Sequence, residues 1–232
     1  MTLLLALGGP VSAGLGYLWC YGGLRGPVDW LARGVSARAG RAAAGRIALT
    51  FDDGPDPLRT PQLLDVLDAA GVQASFFLVG GAVDRHPEVA RRIAGAGHDI
   101  GNHTWSHAYL PLRRSDSVID QLAATDRAIR QATGVTPTRM RPPYGGRRLA
   151  TVRACRRRGQ RMVLWDINPF DWRGGSADDI CAHVLAAARP GSVVLLHEAR
   201  PGGEVTVEAV RRLIPALRAR GLEPSPLRAL GL

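Results

Sequence analysis

The 232-residue sequence contains no lysine: all thirty of its basic residues are arginine. With alanine and glycine abundant, that points to a coding bias rather than to thirty guanidinium-specific contacts. Only 20 residues are acidic, so the formal charge is +10, a balance compatible with nucleic acid, an anionic membrane face or an anionic polymer. The densest basic run, "RACRRRGQR" at residues 153–161, has no interleaved aromatic on which a base could stack, so it reads as a solvated helix face and no nucleic-acid partner is expected. Cysteine is scarce as well. Cys20, Cys155 and Cys181 form no CxxC pair and leave one unpaired in any pairing, which excludes a disulfide framework and a cysteine zinc site.

Charge is missing altogether from "MTLLLALGGPVSAGLGYLWCYGGL", residues 1–24, a stretch long enough to span a bilayer although six glycines and Pro10 weaken it as a helix. It lacks the basic start of a signal peptide, and Trp19 is too bulky for a lipoprotein cleavage site before Cys20. Arg25, Arg33, Arg38 and Arg41 all follow it, an order that by the positive-inside rule would keep the rest in the cytoplasm. The expectation is a leader or membrane anchor plus basic linker over residues 1–45, with membrane association through residues 2–24. A cell-envelope location, anchored or secreted, is expected, the cytoplasm being the alternative that the arginines leave open.

The chain as a whole has ordinary globular composition, 46% hydrophobic and 22% charged, and no linker or internal repeat divides it after residue 45. Apolar, β-rich runs occur at "RIALTF", "ASFFLV", "HDIGNH", "TRMRPP", "RMVLWD" and "SVVLLH", with a seventh short strand near "EPSPLRAL". Helix-like stretches alternate with them. Pro61 and Pro87 suit first helical turns, Gly71, Gly97, Gly134, Gly159 and Gly221 suit helix ends, and Ser117 with Asp120 has the spacing of a capping box. The alternation predicts an α/β fold of about seven parallel strands with helical crossovers, in one domain over residues 46–232.

Each polar cluster follows one of these strands, where α/β folds build their sites. "TFDDGP" ends the first strand with Asp52 and Asp53. Neighbouring strand side chains point to opposite faces, so a Gly-Pro break is needed to bring both carboxylates to one rim. "HTWSH" places His103 and His107 four apart, which on a helical turn would put both imidazoles on one face. One carboxylate, from Asp52 or Asp53, would complete a His₂-carboxylate set for a divalent ion with open positions for water and substrate. "RPPYGG" fixes a backbone with Pro142 and Pro143 after Arg141, and Tyr144 is the first residue beyond them with a peptide N–H to aim. "WDINPFDW" sets Asp171 beside Trp172, and "VVLLH" ends in His197, placed for a general acid or for a satisfied core histidine. His86, His98 and His183 read as structural.

In order and spacing, "TFDDGP", "HTWSH", "RPPYG", "DW" and "LLH" resemble the five motifs of the polysaccharide deacetylase family, the NodB-homology domain of carbohydrate esterase family 4. The resemblance covers about residues 45–230. It implies a distorted (β/α) barrel with fewer than eight strands and a metal-dependent N-deacetylase acting on an N-acetylated glycan. It further implies that Asp53, His103 and His107 bind the metal, zinc in the first instance with cobalt, nickel or manganese as alternatives. Asp52 would be the base, oriented by Arg141, and His197 the acid, paired with Asp171. The Tyr144 N–H would stabilise the oxyanion, while Pro143, Trp172 and Leu195 would border the acetyl pocket. "HAYL" departs from the family, which often has proline after the second histidine. A monomer is expected. Two other readings stay open on sequence: a hydrolase of a non-sugar amide on this fold, and a non-catalytic, basic, membrane-associated polymer-binding protein.

Overall fold

The computed structural model describes residues 35, 36, 39 and 43–232. The apolar segment at residues 2–24 lies outside them. Among the described residues no helix is long and apolar enough to cross a membrane.

Among the described residues eight parallel strands form the sheet: β1 (Val35–Ser36), β2 (Arg46–Asp52), β3 (Ser75–Leu78), β4 (Asp99–Asn102), β5 (Arg139–Met140), β6 (Arg161–Val163), β7 (Val193–Leu196) and β8 (Glu223–Pro224). Their order is β1-β6-β5-β4-β3-β2-β7, with β8 pairing to β2 off that path. The gap between β6 and β7 is closed at the Ile167–Val194 bridge, where Leu195 N–H donates to Ile167 O at 2.9 Å and the Asp166 and Ile167 N–H groups donate to Val193 O at 3.1 and 3.2 Å, so the sheet curls into a distorted barrel. All seven anticipated strands are present. The eighth, β1, lies upstream of residue 46 and pairs with β6 at Val35↔Met162.

Among the described residues seven helices pack outside: α1 (Arg59–Ala69), α2 (Gly80–Arg85), α3 (Pro87–Gly95), α4 (Ser115–Thr133), α5 (Leu149–Arg157), α6 (Ala177–Ala187) and α7 (Gly203–Ala219). The short α2 has too few residues to show a helical period in the sequence. The five stop glycines all adopt left-handed backbone, φ 63° to 76°, where a side chain would be strained. The capping box expected at Ser117 is not formed, because α4 begins two residues earlier and Arg114 precedes it without a side-chain cap. A box forms instead at the start of α6, where the Ser176 hydroxyl accepts from Asp179 N–H at 3.1 Å and Asp179 accepts from Ser176 N–H at 2.9 Å.

Strand alternation sorts the core into two clusters. Ile47, Leu49, Phe51, Phe76, Leu78, Val194 and Leu196 pack outward among helix residues such as Leu63, Leu67 and Leu213. Ala48, Phe77, Met140, Met162, Val193 and Leu195 fill the opposite face. Thr50 and Asp52 continue the Ala48 side of β2 and are buried, so Asp52 points into the barrel end that the site occupies. The basic run lies on α5 with Arg153, Arg156 and Arg157 exposed, and Arg158 is paired with Asp126 at 2.6 Å. Cys155 and Cys181 are free.

β4 is tied to α4 by Asn102, which is fully buried. Its amide donates to Leu122 O at 2.9 Å and Asp126 Oδ1 at 2.7 Å, while its Oδ1 accepts from Thr104 N–H at 2.8 Å. Substituting Asn102→Ala strips partners from buried groups and should cost about 1–3 kcal/mol of unfolding free energy, read from the urea midpoint at unchanged slope.

Candidate active site

The strand ends surround a cavity of about 340 Å³ lined by Asp52, His103, His107, Tyr144, Trp165, Asn168, Trp172, Leu195, His197 and Arg200. That volume matches a small-molecule or single-ring pocket.

The paired aspartates converge through backbone conformation. Asp52 still belongs to β2 and faces inward. Asp53 leaves the strand in the left-handed region, φ 76°, which turns its side chain toward the same rim instead of the opposite face. Gly54 follows, where an added Cβ would press on Glu198 Oε1 at 2.5 Å. His103 and His107 are also brought together by a loop rather than by a helical turn. Residues 103–109 have no helix, and left-handed Thr104 (φ 66°) and His107 (φ 53°) fold the segment back so that the ring centroids lie 5.0 Å apart. Spacing of four was right for convergence and wrong about the means. Asn102, by accepting from Thr104 N–H, holds the first of these turns.

Asp53, His103 and His107 offer one ligand atom each within 4.8 Å of one another. Asp53 Oδ1 lies 3.3 Å from His103 Nε2 and 2.9 Å from His107 Nε2, yet it is buried without an aligned hydrogen bond. His103 Nδ1 lies 2.7 Å from Arg141 O, an arrangement that puts its proton on Nδ1 and leaves the Nε2 lone pair facing Asp53. An orphaned carboxylate oxygen facing two imidazole nitrogens fits a divalent cation. Burial works against the Asp53 anion, but the two imidazoles outweigh it and hold the carboxyl well below its usual range. Burial lowers His107 from its ordinary value, which favours the neutral, ligating form.

Arg141 is completely buried behind Asp52. Its guanidinium donates to Asp52 Oδ1 at 2.8 Å, Thr50 Oγ1 at 2.7 Å, Val163 O at 3.0 Å and Leu164 O at 3.0 Å, and lies 4.2 Å from the Phe77 ring centroid. One oxygen of Asp52 is thereby fixed, and the other, Oδ2, lies 3.7 Å from His103 Nε2. Across the cavity, His197 Nδ1 lies 2.9 Å from Asp171 Oδ1, and Asp171 Oδ2 accepts from His197 N–H at 2.7 Å and Thr206 Oγ1 at 3.0 Å. Burial opposes protonation of His197, but Asp171 overrides it and the imidazole is held above its ordinary value.

Tyr144 sits at φ 59° with its ring edge-on to His107 at 4.7 Å. Leu195 and half-exposed Trp172 line the cavity, whereas Pro143 is buried and does not line it. His98 is structural: its Nδ1 accepts from Ala74 N–H at 3.1 Å. The sequence reading did not single out Arg200, Trp165, Asn168, Glu198 or Thr206. Glu198 follows His197 directly and Arg200 stands three residues on, so closeness to a strand-end histidine was the signal that could have found them. Glu198 is wholly buried, its Oε1 accepts from Thr60 Oγ1 at 2.8 Å, and burial pushes its carboxyl up to about 8.

Replacing Arg141 leaves Asp52 as a buried charge without its cation. Arg141→Met should lower the unfolding free energy by about 3–5 kcal/mol, measured by guanidinium denaturation, where a comparable exposed pair would cost under about 1 kcal/mol.

The family model for polysaccharide deacetylase matches residues 39–163. The chain is 38% identical over 197 residues to a peptidoglycan-N-acetylglucosamine deacetylase of Bacillus cereus, covering 84% of this chain and 71% of that protein. It is 41% identical over 193 residues to a chitooligosaccharide deacetylase of a Bradyrhizobium species, covering 78% and 88%. A crystal structure of a peptidoglycan N-acetylglucosamine deacetylase, bound to 4-naphthalen-1-yl-N-oxidanyl-benzamide, superposes with a TM-score of 0.84 at 34% identity over 89% of this chain and 97% of that one. The strand order, the strand-end site and these likenesses agree: the chain belongs to the polysaccharide deacetylase family, carbohydrate esterase family 4.

Proposed function

We propose that the protein is a metal-dependent hydrolase that removes the N-acetyl group from N-acetylated amino sugars in a chitin-like or peptidoglycan-like glycan. One observation carries this reading: the unpartnered Asp53 Oδ1 faces the Nε2 atoms of His103 and His107 in a cavity that has a carboxylate on one side and an imidazole–carboxylate pair on the other. The catalytic domain takes in β1 as well as residues 46–232, and the apolar stretch at residues 1–24 is a leader or anchor that keeps it at the cell envelope.

A divalent ion, zinc in the first instance, would be held by Asp53, His103 and His107, and when bound it supplies Lewis acidity that brings the pKa of water to about 7. The protein's own groups do the rest. Asp52 Oδ2 takes the proton from the attacking water while Arg141 holds Oδ1 and keeps the carboxylate aimed. Addition to the acetamide carbonyl puts charge on its oxygen, toward which the Tyr144 peptide N–H donates; such donors are worth about 3–4 kcal/mol each. Collapse expels an amine, a poor leaving group until protonated, and His197 delivers that proton from Nε2 because Asp171 occupies its Nδ1. Leu195 and Trp172 wall the acetyl methyl.

The two aspartates should separate in solution. Asp53→Asn should lose metal as measured by elemental analysis, while Asp52→Asn keeps metal and loses acetate release from N-acetylglucosamine oligomers by about 10²-fold or more. Equal metal loss in both would refute the division. Chelator treatment of the parent protein should abolish acetate release, and added zinc or cobalt should restore it.

The His197 shift gives a pH test. A general acid acts only when protonated, so turnover falls as pH rises through its pKa, which Asp171 holds above the ordinary value. Asp171→Asn removes the charge responsible, and the alkaline limb of the rate profile should move to lower pH. A limb that stays in place would show that another group sets it.

A further inference from the structure

Arg200 stands in the cavity wall three residues beyond His197, and no step above uses it. Its Nε donates to Asp53 Oδ2. The other oxygen of that carboxylate, Oδ1, is the one facing both imidazoles without a hydrogen bond. The two oxygens of Asp53 are therefore sorted, one toward the histidines and one toward the guanidinium.

The arm that does this is anchored. Arg200 O accepts from Gly203 N–H at 2.9 Å, closing a tight turn into α7 through left-handed Gly202 (φ 87°). A Cβ on Gly203 would lie 1.9 Å from Glu198 O, so only glycine lets the chain close here. Glu198 accepts from Thr60 Oγ1, and that hydroxyl accepts from Asp56 N–H at 2.9 Å. The loop after β7 thus holds the loop after β2 through Arg200–Asp53 and the first turn of α1 through Glu198–Thr60. The ion pair is partly buried, its guanidinium 32% and its carboxylate 11% exposed. Its consequence lies in which oxygen it occupies.

We propose that Arg200 is a positioning residue for the metal-binding carboxylate: by holding Asp53 Oδ2 outward, it offers Asp53 to the metal site through Oδ1 alone. This rests on the metal-centre reading above. Carboxylates bind metal ions through one oxygen or both, and a hydrogen bond from outside the ligand set is what selects between them. One-oxygen binding leaves a position open for water or the acetamide oxygen, as a hydrolytic centre needs. The nearby cation also weakens metal binding by repulsion, so Arg200 trades affinity for an open site.

Cobalt(II) is the probe, because its visible absorption weakens as coordination number rises. The full chain is stripped of metal, loaded with cobalt, and compared as parent, Arg200→Ala, Arg200→Gln and Arg200→Lys. In the alanine and glutamine variants the visible bands should lose intensity, and cobalt affinity from chelator competition should tighten because the repelling charge is gone. Lysine, which keeps a charged donor, should restore the parent spectrum. Unchanged spectra in the alanine and glutamine variants overturn the proposal, and so does a change that lysine fails to reverse. If the parent chain takes up no cobalt, the metal-centre reading fails and this inference with it. If the parent binds and only the Arg200 variants behave as the parent does, the metal centre stands and the role of Arg200 falls.

Discussion

A single buried guanidinium organises this site. Arg141 has no exposure to solvent, and it is tolerable there because four acceptors from two strand ends surround it: Thr50 and Asp52 of β2, and the Val163 and Leu164 carbonyls at the end of β6. Burial alone would lower its affinity for the proton, and the Asp52 carboxylate opposes that loss. The same residue's carbonyl receives His103 Nδ1–H. One residue thus aims the carboxylate assigned as base and orients an imidazole assigned to the metal. The double proline after it keeps that carbonyl in place.

Around this anchor the rim is built from backbone that side chains usually avoid. Asp53, Thr104, His107, Tyr144 and Phe170 all have positive φ, and all lie on loops at the cavity end of the barrel. Among the described non-glycine residues Ala44 is the other such case. Conformations of this kind persist where surrounding contacts over-determine them, which is what the Asn102, Gly54–Glu198 and Gly203 contacts do. They convert the outward-inward alternation of strands into convergence on one cavity.

Much of this was legible beforehand. The strand-end clusters stood out because each interrupts an apolar run with groups that a core does not want, and a parallel α/β chain delivers all such interruptions to one end. The helix-stop glycines were legible because left-handed backbone has a strong residue preference. The capping box at Ser117 failed as an inference because Ser-x-x-Asp is common and α4 already begins two residues earlier, at Ser115. The turn holding the two histidines was misread as helical for a related reason: spacing of four is the helix signature, but φ at Thr104 and His107 answers to the Asn102 contact. What Arg200 pairs with was not legible, since its partner Asp53 is 147 residues away.

The sequence by itself determined the class of fold, the positions of the seven strands after residue 45 and the set of polar residues gathered at their ends. These depend on periodicity and on residue types with strong local preferences. Only the tertiary structure decided which oxygen of each aspartate faces which partner, that the histidines meet across a left-handed turn, and that Arg200 and Glu198 tie the loop after β7 to the loop after β2 and to α1. Those outcomes rest on contacts between segments far apart in the chain, and no local preference encodes a distance of a few ångströms across a barrel.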